Sequence, residues 1–213
     1  MEGVSKSLSK VGEIVLFLLL SVVYTSLILL PMILVNLMLE SSLISYVLVF
    51  IPLIGLLAVS MEREFLATRE VFVKQTPYYK PYFSKVFDKG FIKKYLSYCL
   101  ILGLYFYADD SLRILESDNL FLFVMRMFLD FIFVNIIFYT ILQKAYRKDL
   151  GFIKTIKNSL ILTSRFFLYS ILIGFVWMIF QTMIYRNNIW TFGLVIIIGF
   201  MGTFINETKI KNL

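Results

Sequence analysis

Eighteen of the 21 Lys and Arg residues fall into four segments that alternate with long apolar stretches. That alternation constrains the chain more than any other feature. Basic residues stay on the cytoplasmic side of a membrane, so their clustering orients every apolar stretch at once. Hydrophobic residues make up 60% of the 213, and the mean hydropathy is +0.84. Soluble domains hold roughly 45–50% apolar residues, so lipid is the expected solvent for much of this surface.

Apolar runs bounded by charge predict six transmembrane helices, at about 14–39, 43–61, 91–108, 120–142, 166–185 and 189–205. The expected fold is all-α: a polytopic membrane helix bundle forming a single domain over 1–213. Two short amphipathic cytoplasmic segments, 62–90 and 143–165, accompany it. The third span is the shortest, since its uncharged stretch 95–108 reaches only about 21 Å at helical rise. Crossing the bilayer there requires Lys93 and Lys94 to snorkel, or the bilayer to thin.

Lys6 and Lys10 precede the first span, and Lys209 and Lys211 follow the last. Eight cations lie between Arg63 and Lys94, and six more between Lys144 and Arg165. The intervening connections carry Arg113 and Arg186 beside Glu40, Asp109, Asp110, Glu116 and Asp118. Both termini are therefore expected in the cytoplasm. Trp190, Tyr46, Tyr107 and Tyr185 at the outer ends, and Tyr95, Tyr139 and Tyr146 at the inner ends, fit aromatic belts. The first apolar run is too long for a signal-peptide core, and Pro31 is a candidate kink within it.

Composition also excludes chemistry. Without a single His, the chain lacks the commonest general base, neutral metal ligand and pH switch. Cys99 stands alone, which rules out an intrachain disulfide or a CxxC site. No G-x-x-x-x-G-K-[ST] loop occurs. The reading is of a protein with no catalytic, cofactor or metal site, and not of an enzyme. Asp109-Asp110 is the sole adjacent acidic pair and reads as part of a solvated outer loop. The net charge of +7 lies between spans, where it fits topology and contact with the lipid bilayer rather than nucleic acid.

Two cytoplasmic stretches are candidate docking surfaces. Residues 62–75 read as an inward continuation of the second span, ended by Thr76-Pro77 because the residue before proline disfavours helix. Tyr78, Tyr79, Tyr82 and Phe83 follow as an aromatic, basic turn. Further on, Leu150, Ile153, Ile156 and Leu160 recur at helical spacing opposite Lys148, Lys154 and Lys157, the pattern of an amphipathic interfacial helix. Such faces either lie along headgroups or dock onto a partner. The hexapeptides Asp88–Lys93 and Asp149–Lys154 share Gly-Phe-Ile-Lys, each leading towards an outward-going span. A match this short is consistent with internal duplication and with chance.

Arg126 and Asp130 are the ionisable residues deep in a span, at i, i+4 on one helix face. Intramembrane charge marks either a transport path or a neutralised pair buried between helices. Asn36, Gln181 and Thr182 are candidates for interhelical hydrogen bonds.

The stretch Ile51-Pro52-Leu53-Ile54-Gly55-Leu56-Leu57-Ala58 leads to Tyr82-Phe83 and then Phe87, Lys89, Phe91, Lys93 and Lys94. Ile153-Lys154-Thr155-Ile156-Lys157-Asn158-Ser159-Leu160 precedes the fifth span. In these features and in layout the chain resembles the YesL-like family of small bacterial integral membrane proteins. That resemblance implies location in the bacterial cell membrane and an accessory role beside carbohydrate ABC importers, with importer permease subunits as partners. It implies no catalytic or ligand-binding residues. The expected function is thus an accessory or regulatory membrane subunit; the alternative is an autonomous small-solute permease with Asp130 in its path.

Overall fold

Helix forms wherever apolar runs lack interior breakers. A computed structural model describes residues 2–38, 47–80, 90–116, 119–147, 150–185 and 191–210. Among the described residues there are eight α-helices and no strand. They are α1 (Glu2–Ile28), α2 (Leu30–Met38), α3 (Val47–Phe72), α4 (Phe91–Glu116), α5 (Leu120–Tyr146), α6 (Phe152–Arg165), α7 (Phe167–Tyr185) and α8 (Thr191–Ile205), with one π-turn at Asn206–Ile210.

Local chemistry sets the ends. The first apolar run is interrupted at Leu29, two residues before Pro31, because proline offers no N–H to the carbonyl four residues back and its ring crowds it. Gln75 takes a left-handed φ of 55° beyond α3. There the N–H and the hydroxyl of Thr76 both donate to the Glu70 carbonyl, at 3.0 and 2.8 Å. Asn119 caps α5 by accepting from the N–H of Phe121 at 3.0 Å.

α6 meets α7 at 104°. The corner at Phe166 keeps its backbone bonded, with Phe166 N–H donating to Leu162 and Ser170 N–H to Phe166. The Ser170 hydroxyl donates to the Thr163 carbonyl across it. Two helices close to a right angle are thereby joined by backbone and side-chain hydrogen bonds.

α3 is the hub, packing on α8, α4, α5 and α1. Its Phe50, Ile54, Leu57 and Phe65 are buried with Tyr105 of α4, Phe138, Tyr139, Ile141 and Leu142 of α5, and Phe180 of α7. Small residues bring α3 and α8 close. A Cβ on Gly202 would enter the Phe65 ring, and one on Gly199 would come within 2.9 Å of the Glu64 Cβ.

Among the described residues, three helical stretches are long and apolar enough to cross a membrane: Lys10–Ile28, Leu120–Tyr146 and Gly193–Ile210. The bent pair Phe152–Arg165 and Phe167–Phe180 makes a fourth if it counts as one span. Exposed Val15, Leu19, Val23 and Leu27 on α1, and Leu168, Leu172 and Phe175 on α7, give these helices apolar outer surfaces suited to lipid.

Several expectations change. α4 does not stop at residue 108 but runs on for two more turns to Glu116. Asp109 is therefore a buried helical residue rather than part of a solvated loop. Tyr139 is fully buried, and the hydroxyls of Tyr95 and Tyr146 donate to the carbonyls of Pro52 and Phe65. Tyr139 thus packs in the core, and Tyr95 and Tyr146 tie their helices to α3. Thr182 bonds its own helix, donating to Met178 at 2.9 Å. Tyr46, Trp190 and the side chains of Asn36, Gln181 and Tyr185 lie outside the described residues.

Candidate functional site

Charge in an apolar chain is the surest guide to where chemistry can occur, and the bundle gathers it in two places. The first lies between α4 and α5. Arg126, on α5, points a guanidinium nitrogen at Asp109 of α4, 3.8 Å away. Arg113, one turn beyond Asp109, approaches the same carboxylate at 3.9 Å. Asp130 accepts a hydrogen bond from Tyr105 and lies within the electrostatic reach of Asp109, Arg126 and Arg113. Arg126 and Asp130 thus belong to a formally neutral group of two arginines and two aspartates spanning two helices. Desolvated ions need such balance, because an unpaired charge in apolar surroundings is costly.

The second gathering is the lysine-rich end of the bundle. Glu62 is buried on α3, where Lys94 Nζ meets its Oε1 at 2.9 Å and Tyr98 donates to its Oε2 at 2.7 Å. Glu64 faces the opposite side of α3, fully buried, accepting from Ser21 at 3.0 Å and Thr25 at 3.1 Å on α1. Arg69 pairs with Glu207 at 2.9 Å and stacks on the Tyr146 ring, 4.8 Å from its centre. Arg147 donates to the Ile210 carbonyl. Ion pairs and hydroxyls therefore bind α1, α4, α5 and the π-turn to α3.

The candidate docking residues are found at this same end. Tyr78 packs against a small cluster around Phe17 and Ala67, and its ring meets that of Tyr79 edge-on at 5.7 Å. Tyr79 is exposed. Beside Tyr78 opens a cleft of about 550 Å³ between α1 and the end of α3, with Lys10, Glu13, Ile14, Phe72, Thr76 and Pro77 in its walls. Tyr82 and Phe83 lie outside the described residues.

On α6 the inward face is polar, which an aqueous helical pattern would not suggest. Thr155, Ser159 and Thr163 are buried. Gln143 of α5 donates to the Ser159 hydroxyl at 2.8 Å, and Thr140 shares a 3.0 Å hydrogen bond with the same hydroxyl. Ile153 is 70% exposed, with Leu160 and Ile161 beside it, while Leu150 and Ile156 are half-buried. α6 holds the bundle by hydroxyls and turns its apolar stripe outwards. Tyr79 and Ile153 are thus free-facing, whereas Tyr78 is largely committed to the fold.

Sequence reasoning overlooked Glu62, Glu64 and Gln143, and placed Asp109 in a solvated loop. Glu64 had left a signal, since it falls beside Leu57, Met61, Phe65 and Thr68 on the buried stripe of α3. Asp109 had none, because its partner Arg126 lies on a different helix.

Compared with protein-family models, curated proteins and solved structures, the chain has no match. Among the described residues there is no cluster of three potential metal ligands of the His, Cys, Asp or Glu type.

Proposed function

We propose that this is an accessory or regulatory integral membrane subunit of a bacterial carbohydrate ABC importer, in the manner of the YesL-like proteins it resembles. In this reading the chain crosses the cell membrane six times, with both termini and the lysine-rich end in the cytoplasm. α3 and α4 have uncharged stretches too short to span alone, about 22 Å and 21 Å at helical rise. Their flanking charges are neutralised in place by the Glu62–Lys94 and Asp109–Arg126 pairs, which lowers the cost of immersing the helix ends. α6 lies along the inner surface with its apolar stripe facing lipid or a partner.

The observation that favours the accessory reading over an autonomous permease is the close apolar packing, among the described residues, where α3, α5, α7 and α8 meet. The space enclosed by Met61, Val134, Phe138, Ile173, Trp177 and Ile198 is only about 10 Å³. That is roughly room for one water, and its walls are apolar. A solute route needs polar lining and several times that volume. The neutral Asp109–Arg126 group supports the same reading, since its charges are already occupied by one another.

Tyr79, Ile153 and the 550 Å³ cleft are the surfaces we assign to contact with importer permease subunits. The test is recovery of those subunits with Tyr79→Ala and Ile153→Asp. Loss of partners with an unchanged melting temperature supports the assignment. Undiminished recovery removes these residues from the interface.

A further inference from the structure

At the lysine-rich end, a second cavity of about 290 Å³ is formed where α4 and α6 begin. Its walls include Lys93, Lys94, Ser97 and Tyr98 of α4, Lys144 of α5, and Leu150-Gly151-Phe152 leading into α6. The cations converge: Lys93, Lys94 and Glu62 all act electrostatically on Lys144. Lys144 Nζ donates to the Leu150 carbonyl at 2.6 Å, which tethers the entry of α6 to the cavity wall. Lys94 is engaged by Glu62. Among the described residues, three ammonium groups thus face one carboxylate, leaving an excess of positive charge around an open volume.

The two Gly-Phe-Ile-Lys hexapeptides meet here. Gly90 and Lys93 from the first, and Leu150, Gly151 and Phe152 from the second, line the same cavity. Each begins a helix whose positive end adds to the lysine charge. Gly151 has no side chain to cap α6, and no side-chain hydrogen bond caps that end. With Ser97 held on its own helix, donating to the Lys93 carbonyl at 2.7 Å, the walls are formed before any ligand arrives. The volume suits a phosphate with a small substituent, not an acyl chain.

We propose that this cavity binds a phosphate ester, its oxygens held by Lys93 and Lys144 and by the open N-terminus of α6. Anionic-lipid headgroups and soluble glycerol phosphate share that chemistry. The lipid source rests on the cytoplasmic placement of this end proposed above; anion binding itself does not.

The test uses the full chain in neutral detergent, with native mass spectrometry after addition of phosphatidylglycerol, phosphatidylcholine or glycerol phosphate. Phosphatidylglycerol is expected to be retained over phosphatidylcholine. Lys93→Gln weakens it about fivefold and Lys93→Gln with Lys144→Gln about twenty-fivefold, a factor of about five per cation lost. Lys157→Gln, an equal charge change on the exposed face of α6, leaves retention unchanged. Displacement of the lipid by millimolar glycerol phosphate, with the same lysine dependence, assigns the site to a soluble phosphate instead. Equal retention of both lipids, or equal loss in Lys157→Gln, overturns the proposal. If Lys144→Gln lowers the melting temperature, Lys93→Gln decides alone, since Lys93 is exposed at the rim.

Discussion

Removing either member of the Asp109–Arg126 pair should destabilise the bundle, and removing both should restore it. Asp109 is buried and Arg126 only 14% exposed at its side chain, so each single change strands the other ion. Breaking a buried pair from one side costs about 3–5 kcal/mol. Here Arg113 still approaches Asp109 at 3.9 Å in Arg126→Leu, and Asp130 stays near Arg126 in Asp109→Leu. With these ions still partly compensated, both singles fall at or just below that range, about 2–3 kcal/mol. Replacing a buried ion pair with apolar residues is often neutral, so the double variant should lie within about 1 kcal/mol of the parent. At about 2–4 °C per kcal/mol for a chain of this size, the singles lose about 4–12 °C and the double no more than about 4 °C. Trp177, buried in the core and stacked on Phe180, reports unfolding by its fluorescence in detergent. A double variant as unstable as the sum of the singles refutes the pairing, since independent sites add.

Two further changes probe how the helices are joined. Gly202→Leu drives a side chain into the Phe65 ring and should cost about 1–3 kcal/mol through overpacking, read as a lower melting temperature; an unchanged value contradicts the close α3–α8 approach. Gln143→Leu removes the donor to Ser159, Tyr139 and Thr155 and should cost about 1–3 kcal/mol. Hydrogen exchange should then quicken first in α6, and uniform quickening throughout the chain goes against its role as the latch between α5 and α6.

The helical class and the apolar stretches were legible because lipid requires backbone groups to bond internally, and a long unbroken apolar run does so as a helix within its own segment. Pro31 likewise disclosed the break at Leu29. The faces were less legible. In α6 the 3.6-residue period of Leu150, Ile153, Ile156 and Leu160 was plain, but nothing in it marked Thr155, Ser159 and Thr163 as the packed side. They face inward because hydroxyls join helices closely where apolar contact alone gives little preference over lipid. Asp109-Asp110 read as a loop for a related reason: charge normally means water, and the counter-ion that keeps Asp109 inside comes from α5. Tyr139 and Tyr146 had the right depth for a belt, yet their neighbours across the bundle decided their burial. What sequence spacing conveys is position along a helix; what it omits is the partner on the next one.

We propose assembly with an importer rather than independent transport. The most direct measurement is purification of the tagged chain from native membranes in mild detergent, followed by quantitative mass spectrometry of its companions. Importer permease subunits are expected in near-stoichiometric amounts, with no sugar flux when the chain alone is placed in proteoliposomes. Recovery of the chain by itself, together with flux that Asp130→Asn abolishes, would contradict it.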